Sequence, residues 1–217
     1  EECGVEKIGL FPLSIVIFPE SSLPMHVFES RYKRLVNEAL NDNLIFGINL
    51  VDAAQLYPTG CTVEITDVFR RYPDGRMDVA VTGRKRYSLR TLHEGDAPYY
   101  TGIVDYFEDE PEEIDLQLHN SAIELYNELV AIVYPHSHSD LVVENSTFGA
   151  ISFFMAQKAG LDVLKKQELL EMKSENKRLK MLHEFFEGLL PDLRRKQKIQ
   201  QVIMNDGYLP PPGIGNV

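Results

Sequence analysis

The chain has 217 residues, 44% hydrophobic and 25% charged, enough for one large core or two modest ones, and a formal charge of −11. No apolar run approaches the roughly 18 residues that a membrane-spanning helix needs, so no membrane partner is expected. The acidic balance excludes a binder that relies wholly on attraction to phosphates, because duplex binding draws on cationic contacts.

The opening "EECGVEKIGLFPLS" lacks a basic region followed by a long apolar run, so it does not read as a secretory signal. Cys3 and Cys61 fit a reducing compartment, and a cytoplasmic location with no disulfide between them is expected. Residues 8–13 and 15–18 read as short extended segments. Pro12 removes a backbone donor and suits an edge or a strand end. Pro19 ends the run, and Glu20-Ser21-Ser22 reads as a polar turn before Leu23-Pro24-Met25. From Phe28 the period changes. Phe28, Tyr32, Leu35, Val36 and Ala39 recur at three and four residues, which predicts an amphipathic helix of about three turns. Asn41-Asp42-Asn43 stops it.

Residues 44–51 are a strand candidate. "CTVEITDVFR" alternates at Cys61, Val63 and Ile65, and the slip to Val68 predicts a bulge or a register change. Tyr72-Pro73-Asp74-Gly75 is a turn, and "MDVAVTGRKRYSLRTL" returns as the second arm of a hairpin. Residues 99–107 supply one more strand. Between Glu94 and Asp115 lie nine acidic residues and no Lys or Arg, and "EDEPEE" at 108–113 reads as a solvated connector. Helices follow: one from Ile114 to Pro135, one over Ser146–Lys158, one in "LDVLKKQELLEM", and the clearest from Ser174. That last helix carries Leu179, Leu182, Phe185, Phe186, Leu189 and Leu190, and Pro191 caps its end or opens the next turn. The period therefore divides the chain into a β-rich part at 8–107, a helical part at 114–205 and a flexible or extended tail at 206–217.

These residues resemble a known family. "GLFPLSIVIFPESSLPMHVFESRYKRLVNEAL" resembles the substrate-binding domain of ATP-dependent Lon proteases and its stand-alone relatives. "TGCTVEITDV" and "PDGRMDVAVTGRKRYSL" follow in order, with Gly60, Gly75 and Gly83 at matching places. "LDVLKKQELLEMKSENKRLKMLHEFFEGLL" is similar to the family's helical tail, with Gln167, Leu169, Leu170 and Glu171 in its Gln-x-Leu-Leu-Glu segment. The resemblance spans residues 8–190. It implies an α+β fold: a β-rich PUA-like pseudo-barrel with one inserted helix, followed by a C-terminal helical bundle. One departure is Ser30, where the family commonly has proline at the first helical turn. A larger one is that the sequence holds no GxxxxGK[ST] and no room for a Ser-Lys protease domain. The resemblance thus covers the recognition end of that machine, and no catalytic residue, cofactor or metal is expected.

Other chemistry is weighed on the residues alone. His136 and His138 sit two apart in a Ser-rich loop with Asp140 nearby, and a metal-dependent hydrolase there is one alternative. His26 reads as structural, and Cys61 as a small buried hydrophobe. Arg31 either ties the first helix to the sheet or lines a peptide groove. Arg70, Arg71, Arg76, Arg84, Lys85, Arg86 and Arg90 face only Asp74 and Asp78 in the hairpin. That cluster is a solvated hairpin, a partner for the chain's own acidic 105–115 segment, or a site for an acidic peptide or RNA. Tyr72 and Tyr87 are the only aromatics close enough to stack on a base. The expected function is non-catalytic binding of unfolded or flexible protein segments, as an adaptor to a protease or chaperone. The residues expected to carry it are Met25, Phe28, Arg31, Arg70, Arg71, Tyr72, Arg84 and Arg86.

Overall fold

The computed structural model describes residues 5–95, 97–135, 141–143 and 150–205. Cys3, His136, His138, Asp140, the start of the helix expected from Ser146 and the tail at 206–217 lie outside the described residues. By contact the chain divides into two units that interleave in sequence. The first is Glu1–Glu113 with Phe148–Arg178, and the second is Ile114–Thr147 with Leu179–Val217.

The first unit is built on six strands: β1 (Val5–Leu13), β2 (Ser22–Val27), β3 (Phe46–Asp52), β4 (Gln55–Arg71), β5 (Met77–His93) and β6 (Tyr100–Tyr106). They form one mixed sheet in the order β2-β5-β4-β3-β1-β6, with a further β5–β6 pairing. The fold is α+β, but the expected PUA-like pseudo-barrel is corrected to this six-stranded sheet. Its first strand, β2, pairs with β5 alone among the described residues. The length of β5 explains the double use of that strand. Its first part, Met77–Thr82, takes β2, and its last part, Tyr87–His93, takes β6.

The expected turn is present at Pro19–Glu20, where Ser21 donates its N–H to the Phe18 carbonyl at 3.1 Å, but the chain then runs as strand β2, and residues 15–18 carry no strand pairing. The slip read after Ile65 is real: register shifts fall between Ile65 and Asp67 and between Val68 and Arg70. The turn between the two arms of the hairpin needs Gly75, whose φ of 82° places it in the left-handed region. Behind the sheet, Tyr87 is fully buried and donates to Asn49 Oδ1 at 2.6 Å. Gly47 and Gly60 flank that ring, and a Cβ on either would overlap the phenol.

The inserted helix α1 (Ser30–Asp42) lays Tyr32, Leu35, Val36 and Ala39 against the sheet, as its spacing predicts. Phe11 stacks on Tyr32 with ring centroids 3.8 Å apart. The helix stops at Asn43, which takes a left-handed φ of 53° and returns its N–H to Ala39. Two more helices belong to this unit, α3 (Ile151–Lys158) and α4 (Val163–Glu171).

The second unit packs α2 (Leu116–Val133) on the greater part of α5 (Glu175–Asn205). Asp115 caps α2 by accepting from the amides of Gln117 and Leu118. Tyr126 meets Phe186 at 5.9 Å, Ser121 meets His183 Nε2 at 2.9 Å, and Arg194 grips Glu128 with two bonds of 2.6 Å. Helix α5 runs straight through Pro191 to Asn205, so this proline neither ends it nor opens a separate turn.

Candidate functional site

Two features of the first unit stand out. One is an apolar groove of about 330 Å³. Phe11, Leu13 and Ile15 come from β1 and the segment after it, Leu23, Pro24, Met25 and His26 from β2, and Phe28, Glu29 and Tyr32 from the approach to α1. Phe28 precedes the helix rather than joining its buried stripe, which leaves its ring 61% exposed. Most large apolar side chains so placed are single surface residues, but this one sits on a shared apolar wall.

A polar cluster borders the groove. His26 stacks near Phe28 at 6.0 Å and meets Tyr72 edge-on at 5.9 Å. Its Nδ1 lies 2.5 Å from Asp78, which also accepts from the Tyr72 hydroxyl at 2.9 Å. Those two bonds hold the Asp78 carboxyl below its ordinary value. The guanidinium groups of Arg70 and Arg76 lie over the Tyr72 ring at 4.6 and 4.9 Å. Arg71 reaches Asn37 at 3.5 Å and Lys33 reaches the Asp74 carbonyl at 3.0 Å, so the hairpin tip is tied to α1. Arg31 bonds Glu29 at 3.0 Å and lies 4.6 Å over Tyr32, at the start of the helix and outside the groove lining.

The second feature is a buried ion network. Arg178 is 0% exposed and Arg86 5%. Arg178 bonds both oxygens of Asp109, the Met172 carbonyl at 2.8 Å, Ser152 Oγ at 2.8 Å and Glu175 at 2.6 Å. Arg86 bonds the Met172 carbonyl at 2.6 Å, the Leu170 carbonyl at 3.2 Å and Asp109 at 2.5 Å. Both guanidinium groups also face Phe153, at 5.1 and 4.2 Å. Burial alone would raise the Asp109 pKa, but the bonds and charges of Arg178 and Arg86 outweigh it and hold that carboxyl below its ordinary value. Arg86, Asp109 and Phe153 of this network also line a wider cleft of about 970 Å³ with mixed charge, together with Lys85, Arg90 and Glu108.

The structure therefore separates the residues that the sequence grouped. Met25 and Phe28 share the groove, and Arg70 and Tyr72 stand at its border through His26. Arg84 is taken up by Glu64 at 3.0 Å and Glu20 at 3.3 Å, and Arg86 is internal. Tyr87 is buried and offers no face to a base. Cys61 is a free, buried thiol whose pKa burial pushes up to about 12. Gln167, from the Gln-x-Leu-Leu-Glu segment, donates to the Thr59 carbonyl at 3.1 Å and so pins α4 to β4. Sequence reasoning missed the groove's Leu13, Ile15 and Leu23, whose signal was an apolar run between prolines. The reading of the acidic 105–115 segment as a partner for the hairpin's cations holds at Arg86–Asp109 and Arg90–Asp105, but nothing singled out Asp109 within that segment. Among the described residues no group of three or more His, Cys, Asp and Glu could hold a metal. Nor is any described helix long and apolar enough to cross a membrane.

An α+β unit with an apolar groove beside its edge strand has the form of a binding module. Residues 7–187 match the family of the ATP-dependent protease La (LON) substrate-binding domain, and the chain belongs to that family. It is 32% identical over 126 residues to a Lon protease of Parabacteroides distasonis, covering 52% of this chain and 15% of that protein. It is 29% identical over 224 residues to a Lon protease of Aquifex aeolicus, covering 93% of this chain and 27% of the relative. The chain thus spans about a quarter or less of the length of these relatives. Among solved structures, a Lon N-terminal domain protein from Xanthomonas campestris shares the fold, with a TM-score of 0.66 and 22% identity over 82% of this chain and 96% of that one. The N-terminal domain of a Mycobacterium avium complex Lon protease matches with a TM-score of 0.65 and 16% identity over 84% and 98%.

Proposed function

We propose that the module takes exposed, partly unfolded segments of other proteins into the apolar groove of β1, β2 and α1 and presents them, as an adaptor in protein quality control, to a protease or chaperone. The observation that carries this reading is Phe28, a large ring left in solvent on a wall it shares with Met25, Leu23 and Ile15. Burying such a ring releases on the order of 1.5–3 kcal/mol, which suits loose recognition of many sequences. The membership in a substrate-binding family supports it, since the match covers residues 7–187. The proposal places the chain in the cytoplasm, supported by its sparing use of cysteine and the free thiol of Cys61.

The test is capture of a permanently unfolded, fluorescently labelled client by the purified chain, followed by anisotropy. Saturable binding that weakens in Phe28→Asp, with thermal unfolding unchanged, supports the reading. Equal binding of this client and of a labelled, stably folded protein of the same size would end it.

A further inference from the structure

This inference rests on the binding reading above and specifies how a segment is held. Strand β2 has one sheet neighbour among the described residues, and two observations orient its backbone. The Ser21 carbonyl accepts from the Gly83 amide of β5 at 2.9 Å. Backbone groups alternate along a strand, so Leu23, Met25 and Val27 turn theirs toward β5, and Ser22, Pro24 and His26 turn theirs away. Pro24 agrees with this: a proline in a sheet sits where its missing N–H faces no neighbouring strand. The open edge therefore presents the carbonyls of Ser22, Pro24 and His26 and the amides of Ser22 and His26. It runs beside the apolar groove, which Leu23 and Met25 help to line.

The two ends of this edge differ in charge. Beside His26 stand the Asp78 carboxylate that His26 bonds and, across the strand pair from it, Arg70, whose guanidinium rests on Tyr72 and makes no ion pair among the described residues. At the Ser22 end, Glu20 and Glu64 share Arg84. The chain as a whole carries −11, so a guanidinium that feels Asp78 across the strand pair but holds no direct ion pair is a local exception that leaves room for an acidic group.

We propose that the groove receives its client as an added β-strand along Ser22–His26. Every second side chain of the client, apolar, enters the groove, and an acidic residue lies at the end beside Arg70. Main-chain bonds supply affinity without demanding a sequence, and the groove selects for alternation.

The experiment uses the whole chain and a labelled peptide of alternating Val and Thr ending in Asp. Two versions carry N-methyl groups on two amides each, one on odd positions and one on even. One pattern should weaken binding at least tenfold and the other less than about threefold, because only one set of amides faces the edge. Arg70→Glu should weaken the Asp peptide about tenfold and leave its Asn counterpart unchanged. If both methylation patterns act equally while an unfolded client still competes with the unmethylated peptide, strand addition is wrong and the binding function stands. If the unfolded client itself does not bind, the function falls first. A concentration-dependent dimer that the peptide dissolves would assign the edge to a second copy of the chain and overturn the proposal.

Discussion

The β4–β5 hairpin carries arginines at its tip and along its second arm that look alike in sequence and act in opposite ways. Near the turn, Arg70 and Arg76 lie on Tyr72 in solvent, at the border of an apolar groove. Further along, Arg86 joins Arg178, Asp109 and Glu175 in the interior. The difference teaches that a run of positive charge is not one feature. Where water screens an arginine it is available to a partner, and where carboxylates and carbonyls bind its guanidinium out of solvent it is part of the frame.

The largest effect should come from breaking the interior end. Arg178→Ala leaves Asp109 and Glu175 without their shared cation, and urea unfolding should show a loss of about 3–5 kcal/mol with little change in slope. Acid should act on the same network. The folded state holds the Asp109 carboxyl below its ordinary value of 3.8. It therefore binds that proton less readily than the unfolded chain does. The stability is present above the unfolded value and is lost as pH falls through the lower folded one. Stability measured from pH 6 down to pH 2 should fall along this limb, and Asp109→Asn should be less stable at neutral pH and show a flatter acid limb.

At the solvent end the effects should move from stability to binding. Phe28→Ala should weaken an unfolded client roughly tenfold by anisotropy, with the unfolding free energy within about 0.5 kcal/mol of the parent. The smallest change is expected for Arg76→Ala. It removes an exposed pair with Asp74, and thermal unfolding should register a difference under about 1 kcal/mol. A loss at Arg76 as large as at Arg178 would erase the contrast between the two ends.

Much of this frame could be read from the residues. The apolar stripe of α1 and the Asp74-Gly75 turn are local signals, and local signals survive folding. Strand β2 was hidden because Ser22 and Pro24 are turn residues in isolation. Only a sheet with an open edge gives such a proline a place. The two fates of Arg84 and Arg86 were hidden for another reason. They stand two apart, so strict alternation puts them on one face. The register shift in which Cys61 faces Arg86 while Val63 faces Gly83 adds a residue to β5 and breaks that alternation. Arg86 then shares the buried side with Gly83. Asp109 was unreadable because its partners lie 23 and 69 residues away. Nothing local distinguishes it from the acids around it.

The buried thiol of Cys61 has a practical consequence. It sits opposite both Ile48 and Arg86, in the middle of three paired strands. With its pKa pushed up to about 12, almost none of it is thiolate at neutral pH, and reagent cannot reach it while the sheet is closed. In a Cys3→Ser background its rate of alkylation counts how often the strands part. The chain thereby carries its own clock for native-state opening, readable without an introduced cysteine or a fused label, and a client that closes along β2 should slow it.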